Sequence, residues 1–338
     1  MTFRAAVIGC GKIGSEFADD PRITDIYTHA GAYSACPDTE LVAVCDADSN
    51  KVRKCGARWG VSETYSDINE MMTNEKPAIV SICTPDPTHY SVICEVMKYD
   101  CLRAIYAEKP LALTLPDASE ILTQVKSRNI ALAVNYFRRY APNLQELKME
   151  IVDNNIIGEI QSVNCSYTKG ILHNGSHLLD LARFLAGDII SVRGIANHRT
   201  DLNDADPTVD ASLQFANGAS GFIQGYDEKW FDICEMDLIG TIGRIRILNS
   251  GHTIEHYDIH EDPNYSGYMG LSLMTKDTRG MTDTLLHGVE DLIACIGSDR
   301  DPLCSGFDGY SALNIGLCIS ESAHTGNLIA IKKQKYMT

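Results

Sequence analysis

Over the first third of the chain, short unbroken apolar runs alternate with longer stretches of mixed polarity. Ala5-Ala6-Val7-Ile8, Leu41-Val42-Ala43-Val44-Cys45, Ile79-Val80-Ser81-Ile82-Cys83, Ala104-Ile105-Tyr106-Ala107 and Ile130-Ala131-Leu132-Ala133-Val134 read as strands. Pro87 to Tyr99 and Pro116 to Arg128 read as helices between them. An unbroken apolar run suits a strand covered on both faces, so the alternation predicts βαβ units and a parallel sheet.

Beyond about residue 140 the pattern changes. A helix over Pro142 to Val152 precedes Ile160 to Tyr167, where apolar and polar residues alternate. Val209 to Phe215, Ala219 to Tyr226, Ile233 to Ile239 and Arg244 to Leu248 continue as strands. Asn217-Gly218 joins the first two as a hairpin turn, since both residues tolerate positive φ. Successive hairpin-linked strands predict a large, mostly antiparallel open sheet, part covered by helices. The fold class expected is α/β, a parallel-sheet domain followed by an α+β domain.

Composition narrows the function. The chain has 338 residues, with 29 Lys plus Arg against 45 Asp plus Glu, a formal charge of −16. That balance argues against a nucleic-acid or anionic-membrane binder, either of which needs a basic face. No apolar run is long enough for a membrane span. The 12 cysteines sit mostly in apolar runs without CxxC spacing, and read as buried thiols. With a strand pattern beginning directly at the start, the expected location is cytoplasmic.

Gly9-Cys10-Gly11-Lys12-Ile13-Gly14 is a G-x-G-x-x-G loop directly after the first strand and opening a helix. Its first glycine permits the tight turn, its second lets a pyrophosphate approach the backbone, and its third allows close helix–strand packing. The helix N-terminus then presents free N–H groups to phosphate. Asp46, at the end of the second strand, is placed to bind the adenosine ribose and to repel a 2′-phosphate, favouring NAD over NADP. It lies beyond the usual ~20-residue offset, and Asp19 to Tyr27 reads as an insertion that accounts for the excess.

Three further motifs are Cys83-Thr84-Pro85-Asp86-Pro87-Thr88-His89, Ala107-Glu108-Lys109-Pro110 and Gly175-Ser176-His177-Leu178-Leu179-Asp180. Together with the glycine loop, with Asn135 to Pro142 and with Gly240 to Gly243, they resemble the glucose–fructose oxidoreductase, inositol dehydrogenase and rhizopine-catabolism (Gfo/Idh/MocA) family across nearly the whole chain. The resemblance implies a Rossmann domain over residues 1–135 and a substrate-binding and oligomerisation domain over 136–338. A C-terminal helix, 308–326, packs back toward the first. It also implies hydride transfer between nicotinamide and a hydroxyl or keto carbon of a sugar, cyclitol or nucleotide sugar, in a homodimer or homotetramer.

In the family the Lys of Glu-Lys-Pro sits beside the nicotinamide, which makes Lys109 the first catalytic candidate. Alcohol oxidation requires a base within reach of the hydroxyl. His177 matches the family histidine, and His173 or Asn174 falls where the family often has Asp, so the carboxylate is missing here. Asp180, one turn on, is placed to orient His177. Gly9, Gly11, Lys12, Ile13, Gly14, Asp46, Thr84, Pro85, His89, Glu108, Lys109 and Pro110 are the expected cofactor residues. Asn135, Arg139, Asn174 and His177 are the expected substrate contacts. Arg138 and Arg139 equally suit structural ion pairs or an anionic substrate, and tilt the substrate reading toward the latter.

His252, His256 and His260 share four-residue spacing, but their neighbours alternate as a strand, so no metal site is expected. Two other activities fit the same motifs: a redox-neutral glycosidase holding NAD, and a non-catalytic NAD(H) sensor. The proton groups Lys109 and His177 weigh against the sensor.

Overall fold

The computed structural model describes residues 2–332. They form two compact units. The first comprises residues up to Ala141 with Thr282–Leu313, and the second Pro142–Met281 with the residues from Asn314 on. The single boundary expected at residue 135 is thus replaced by three crossings of the chain.

In the first unit the order is β1 (Phe3–Ile8), α1 (His29–Ala35), β2 (Thr39–Cys45), α2 (Ser49–Trp59), β3 (Thr64–Tyr65), α3 (Ile68–Glu75), β4 (Ile79–Ile82), α4 (His89–Val96), β5 (Ala104–Ala107), α5 (Leu115–Ser127) and β6 (Ala131–Val134). The strands are all parallel in the order β3-β2-β1-β4-β5-β6. All of β4 and β5 is buried, at ~1.5–3 kcal/mol for each large apolar side chain. Caps fix the helix ends at about 1 kcal/mol each. The Asp48 carboxylate accepts the Asn50 and Lys51 N–H groups at the start of α2, and Thr114 accepts that of Asp117 at the start of α5.

The glycine loop does not open an unbroken helix. In such a helix the carbonyls of Ile13 and Gly14 would accept from residues 17 and 18. Here they accept from His29 and Ala30 (3.1 and 3.0 Å), 12 positions further on. The chain leaves the helix after one turn, makes a short 3-10 turn at Glu16–Asp19, and returns at Thr28, whose side chain caps α1. From Gly14 to Asp46 is 32 residues, and 20 once those 12 are removed, the usual spacing to the ribose-binding acid. The excursion is pinned within its own unit. Arg58 pairs with Asp19, Asp283 accepts the Ile26 N–H, and Tyr27 makes edge contacts with Phe17 and Phe137.

The second unit contains α6 (Pro142–Val152), β7 (Ile160–Tyr167), α7 (Ser176–Ala186), β8 (Ile189–Ile195), β9 (Asp210–Phe215), β10 (Ser220–Gly225), β11 (Cys234–Gly240), β12 (Gly243–Leu248), β13 (Thr253–Glu261) and β14 (Met269–Asp277). The chain then enters the first unit through α8 (Thr284–Cys295), which packs on α1, β5 and β6. It continues into α9 (Gly306–Thr325), whose residues divide between the units after Leu313, and ends the described fold at β15 (Ile329–Ala330). The nine-stranded sheet runs β14-β13-β12-β11-β7-β10-β9-β8-β15 and is antiparallel except for the β7–β10 pair. In the β9–β10 hairpin Gly218 alone takes positive φ (94°). The Gly218 N–H donates to Phe215 and the Phe215 N–H to Ala219, so the turn is a bulged hairpin rather than a two-residue one.

Candidate active site

The sheet order of the first unit lays out the site. Each motif follows a strand, so the C-terminal edge reads Asp46 after β2, the glycine loop after β1, Thr84 after β4, Lys109 after β5 and Asn135 after β6. This edge, where strand order reverses, is where open α/β sheets bind ligands.

The glycines divide as the loop chemistry requires. Gly9 has φ +98°, and a Cβ there would stand 2.4 Å from the Cys83 carbonyl; a Cβ on Gly14 would stand 2.0 Å from the Gly9 oxygen. A Cβ on Gly11 would meet nothing within 4 Å, leaving the open space that a pyrophosphate needs. Lys12 is exposed and Ile13 half-buried. Asp46 accepts the Cys10 N–H at 2.7 Å and the Asp48 N–H at 2.8 Å. The carboxylate therefore braces the loop while each oxygen retains a lone pair. Thr84 Oγ1 is buried without a hydrogen-bond partner among the described residues, and the adjacent Pro85 is exposed. An orphaned hydroxyl beside an open glycine loop fits a dinucleotide.

His89 is fully buried, with its ring nitrogens 2.6 Å from the Pro110 carbonyl and 2.8 Å from the Thr84 carbonyl. It ties two cofactor-side loops together, in place of the direct cofactor contact expected of it. Lys109 is 9 % exposed and is joined to Pro110 by a cis peptide bond.

Behind Lys109 lies a buried polar chain. Glu108 Oε1 is 3.0 Å from His29 Nε2 and 2.6 Å from Asn135 Nδ2; His29 Nδ1 is 2.8 Å from Ser81 Oγ, which is 2.8 Å from the Tyr33 hydroxyl. Tyr106 donates to Asn135 Oδ1 at 2.9 Å. Burial raises the Glu108 pKa, and the bonds and charges of His29, Asn135 and Lys109 outweigh it, holding the carboxyl below its ordinary value. Asn135 is thus a buried member of this chain rather than an open substrate contact. Arg139 is likewise turned to structure, 3.0 Å from Asp308 and donating to the Leu303 carbonyl at 3.1 Å. Arg138 lies over the Phe137 ring. Sequence reasoning missed His29, Ser81 and Tyr33, none of which stands in a recognisable motif.

In the second unit the His173–His177 stretch enters α7 through a π-helical turn, Gly170–Gly175, a wide turn often found at functional sites. Its N–H groups are capped from the β8–β9 loop. Asp206 accepts from Leu172 at 2.7 Å and His173 at 2.8 Å, and Thr208 accepts from Gly170 at 2.9 Å. Gly170 has φ +75°, and a Cβ there would stand 2.0 Å from Asp206 Oδ2. His173 is exposed, Asn174 half-buried, and His177 and Asp180 are buried on α7. His256 and His260 lie on β13, one paired with Asp258 and the other against Met274. Nine of the 12 cysteines are buried.

Residues 3–136 match the oxidoreductase family with the NAD-binding Rossmann fold, and residues 168–246 match the Gfo/Idh/MocA C-terminal domain. The chain is 25% identical to myo-inositol 2-dehydrogenase of Thermotoga maritima over 94% of its own length and 96% of the relative's. It is 26% identical to inositol 2-dehydrogenase of Rhizobium meliloti over 93% and 94% of the two chains. Levoglucosan dehydrogenase in complex with NADH shares its fold, with a TM-score of 0.80, 18% identity and coverage of 99% and 100%. Both halves of the fold, with the glycine loop and Glu108-Lys109-Pro110 in their places, carry one conclusion: the chain is an NAD-binding oxidoreductase of the Gfo/Idh/MocA family.

Proposed function

We propose that this protein oxidises a hydroxyl of a sugar or cyclitol with NAD, and reduces the ketone in reverse, with Lys109 as its proton-transfer group. The observation that carries the reading is the setting of Lys109. It follows a carboxylate kept ionised inside the fold, at the sheet edge that also bears the open glycine loop. Bound NAD supplies the hydride acceptor. The chain's own residues do the rest. Gly11 and the adjoining N–H groups hold the pyrophosphate, Asp46 holds the adenosine ribose and disfavours a 2′-phosphate, and Thr84 offers its hydroxyl. Lys109 takes the proton from the reacting hydroxyl as it becomes a carbonyl. His177 is assigned the second proton position, with Asp180 holding its ring. The dehydrogenase names of the full-length relatives support the substrate class.

The test is nicotinamide absorbance with NAD and with NADP across free sugars, inositols and nucleotide sugars, with Lys109→Met alongside. The expected result is reduction of NAD in preference to NADP with one substrate class. In Lys109→Met turnover falls by ~10²–10⁴-fold, the range of a general acid–base group, while NADH still binds. Bound NADH with no net reduction by any substrate overturns the reading in favour of a redox-neutral reaction or a binding role.

Self-association is also expected. Ile259, Leu271 and Leu273 share one face of the β13–β14 edge, at 37%, 44% and 49% exposure, an apolar surface that a second copy would cover. Light scattering on Leu271→Glu/Leu273→Glu, with smaller particles expected, checks it. Among the described residues no helix is long and apolar enough to cross a membrane.

A further inference from the structure

The second unit holds a cavity of about 540 Å³, within the ~300–1,000 Å³ range of small-molecule sites. His173 opens onto it, so it adjoins the motif that the dehydrogenase reading uses. The β8–β9 loop contributes Asp201, Asp204 and Asp206 to its wall, and the segment after β10 contributes Asp227 and Glu228.

Two cations share that wall, and both are already compensated. Lys169 Nζ lies 2.8 Å from Asp232, and one terminal nitrogen of Arg199 donates to both oxygens of Asp210 at 2.7 and 2.6 Å. Neither Asp232 nor Asp210 lines the cavity. Among the carboxylates, Asp206 is committed to the π-helical turn, and Asp227 accepts a single N–H, from Lys229. Asp201, Asp204 and Glu228 are exposed. The field inside is therefore negative. Arg138 and Arg139, which suggested an anionic substrate, belong to the other unit and are engaged there.

We propose that this cavity selects a polyhydroxylated ring bearing an ammonium group, an amino sugar or an aminocyclitol, and rejects phosphorylated, carboxylated and nucleotide-linked sugars. The cavity's carboxylates accept hydrogen bonds from ring hydroxyls as well as from the ammonium, and like-charge repulsion excludes the anions. The proposal rests on the dehydrogenase reading, because the cavity wall includes His173, a candidate residue of that reading.

The experiment compares kcat/KM with NAD for D-glucose, D-glucosamine and D-glucuronate, and for myo-inositol, an inosamine and an inositol phosphate, at low and high salt. Calorimetric titration of NADH-loaded protein with the same compounds runs beside it. The expected result is about a tenfold preference for the amine over the neutral ring, equivalent to ~1.4 kcal/mol, and the poorest use of the anion. The preference shrinks with salt and disappears in Asp227→Asn/Glu228→Gln, a pair of near-isosteric changes. An anion used as well as the amine, or an amine preference unchanged in the double variant, overturns the proposal. Rings oxidised without regard to charge would sink the cavity assignment and leave the dehydrogenase reading standing. Amines bound with the stated salt and variant dependence, but no ring oxidised, would do the reverse.

Discussion

His29 Nε2 and Glu108 Oε1 lie 3.0 Å apart inside the first unit although 79 residues separate them in the chain. The excursion after the glycine loop returns at Thr28, so His29 opens α1 with its ring directed at the carboxylate beside Lys109. Burial by itself drives Glu108 toward its neutral form, and His29 is the leading group that reverses this.

Replacing His29 with Gln keeps a hydrogen-bonding side chain but removes the imidazole. The pKa of a buried carboxyl then rises. The sign follows from linkage. With its folded pKa below the unfolded one, native Glu108 contributes stability that is present above the ordinary glutamate value and lost as pH falls through the folded value. In His29→Gln the contribution is smaller, and its loss is complete at a higher pH because the folded value has risen toward the unfolded one. Thermal melts between pH 3 and pH 7, taken as rough limits around the glutamate range, are expected to show this upward displacement. The acidic limb of kcat moves with it, which a purely structural role for His29 would leave in place.

Gly11 and Gly14 stand three residues apart and meet opposite surroundings. A Cβ on Gly14 collides with the Gly9 oxygen, whereas one on Gly11 enters open space. Gly14→Ala is expected to lose both stability and NADH binding. Gly11→Ala is expected to melt within about 0.5 kcal/mol of the native protein, yet to bind NADH at least tenfold more weakly because the methyl occupies the approach of the pyrophosphate. Fluorescence titration with NADH and a melting curve on each variant separate the two effects.

Legibility in the sequence followed the range of the interactions. Helix α6 and strand β7 fall at the limits their periodicity predicts, because burial on one face is a local pattern. Strand β14 was not anticipated. Nearly all of it is exposed at the sheet edge, so no alternation of burial marks it. The polar chain from Tyr33 through Ser81 and His29 to Glu108 was invisible for a different reason. Its links span 48, 52 and 79 residues, and each member alone reads as an ordinary strand or helix residue. Asn135 joins the buried chain at Glu108, and Arg139 takes the ion-pair role that its motif equally allowed, since position in a motif does not say which way a side chain turns.

The helix interruption has its own test. Deleting residues 17–28 brings His29 to the position whose N–H bonds the Ile13 carbonyl in a continuous helix, the bond already present at 3.1 Å. The deletion variant is therefore expected to fold and to bind NADH within a few-fold of the native chain. It gives up the solvent-screened Arg58–Asp19 pair, together with the Phe17 and Tyr27 ring contacts. Failure to fold, in a variant whose helix closes on paper, would show that the excursion is required for the unit's core. Circular dichroism and NADH titration distinguish these outcomes.

Asp206 offers the corresponding test in the second unit. Its two oxygens take the N–H groups of Leu172 and His173 at the mouth of the π-helical turn, and through that turn they set the start of α7, which carries His177. Asp206→Ala leaves two donors without acceptors, at ~1–3 kcal/mol for each that stays dry. Asp206→Asn retains one acceptor oxygen and is expected to recover about half of the loss. If the turn positions the substrate-side histidines, KM rises in Asp206→Ala by more than kcat falls, and Asp206→Asn lies between it and the native enzyme in both melting temperature and KM. A loss of stability with KM unchanged would separate the cap from the site and confine Asp206 to holding the fold.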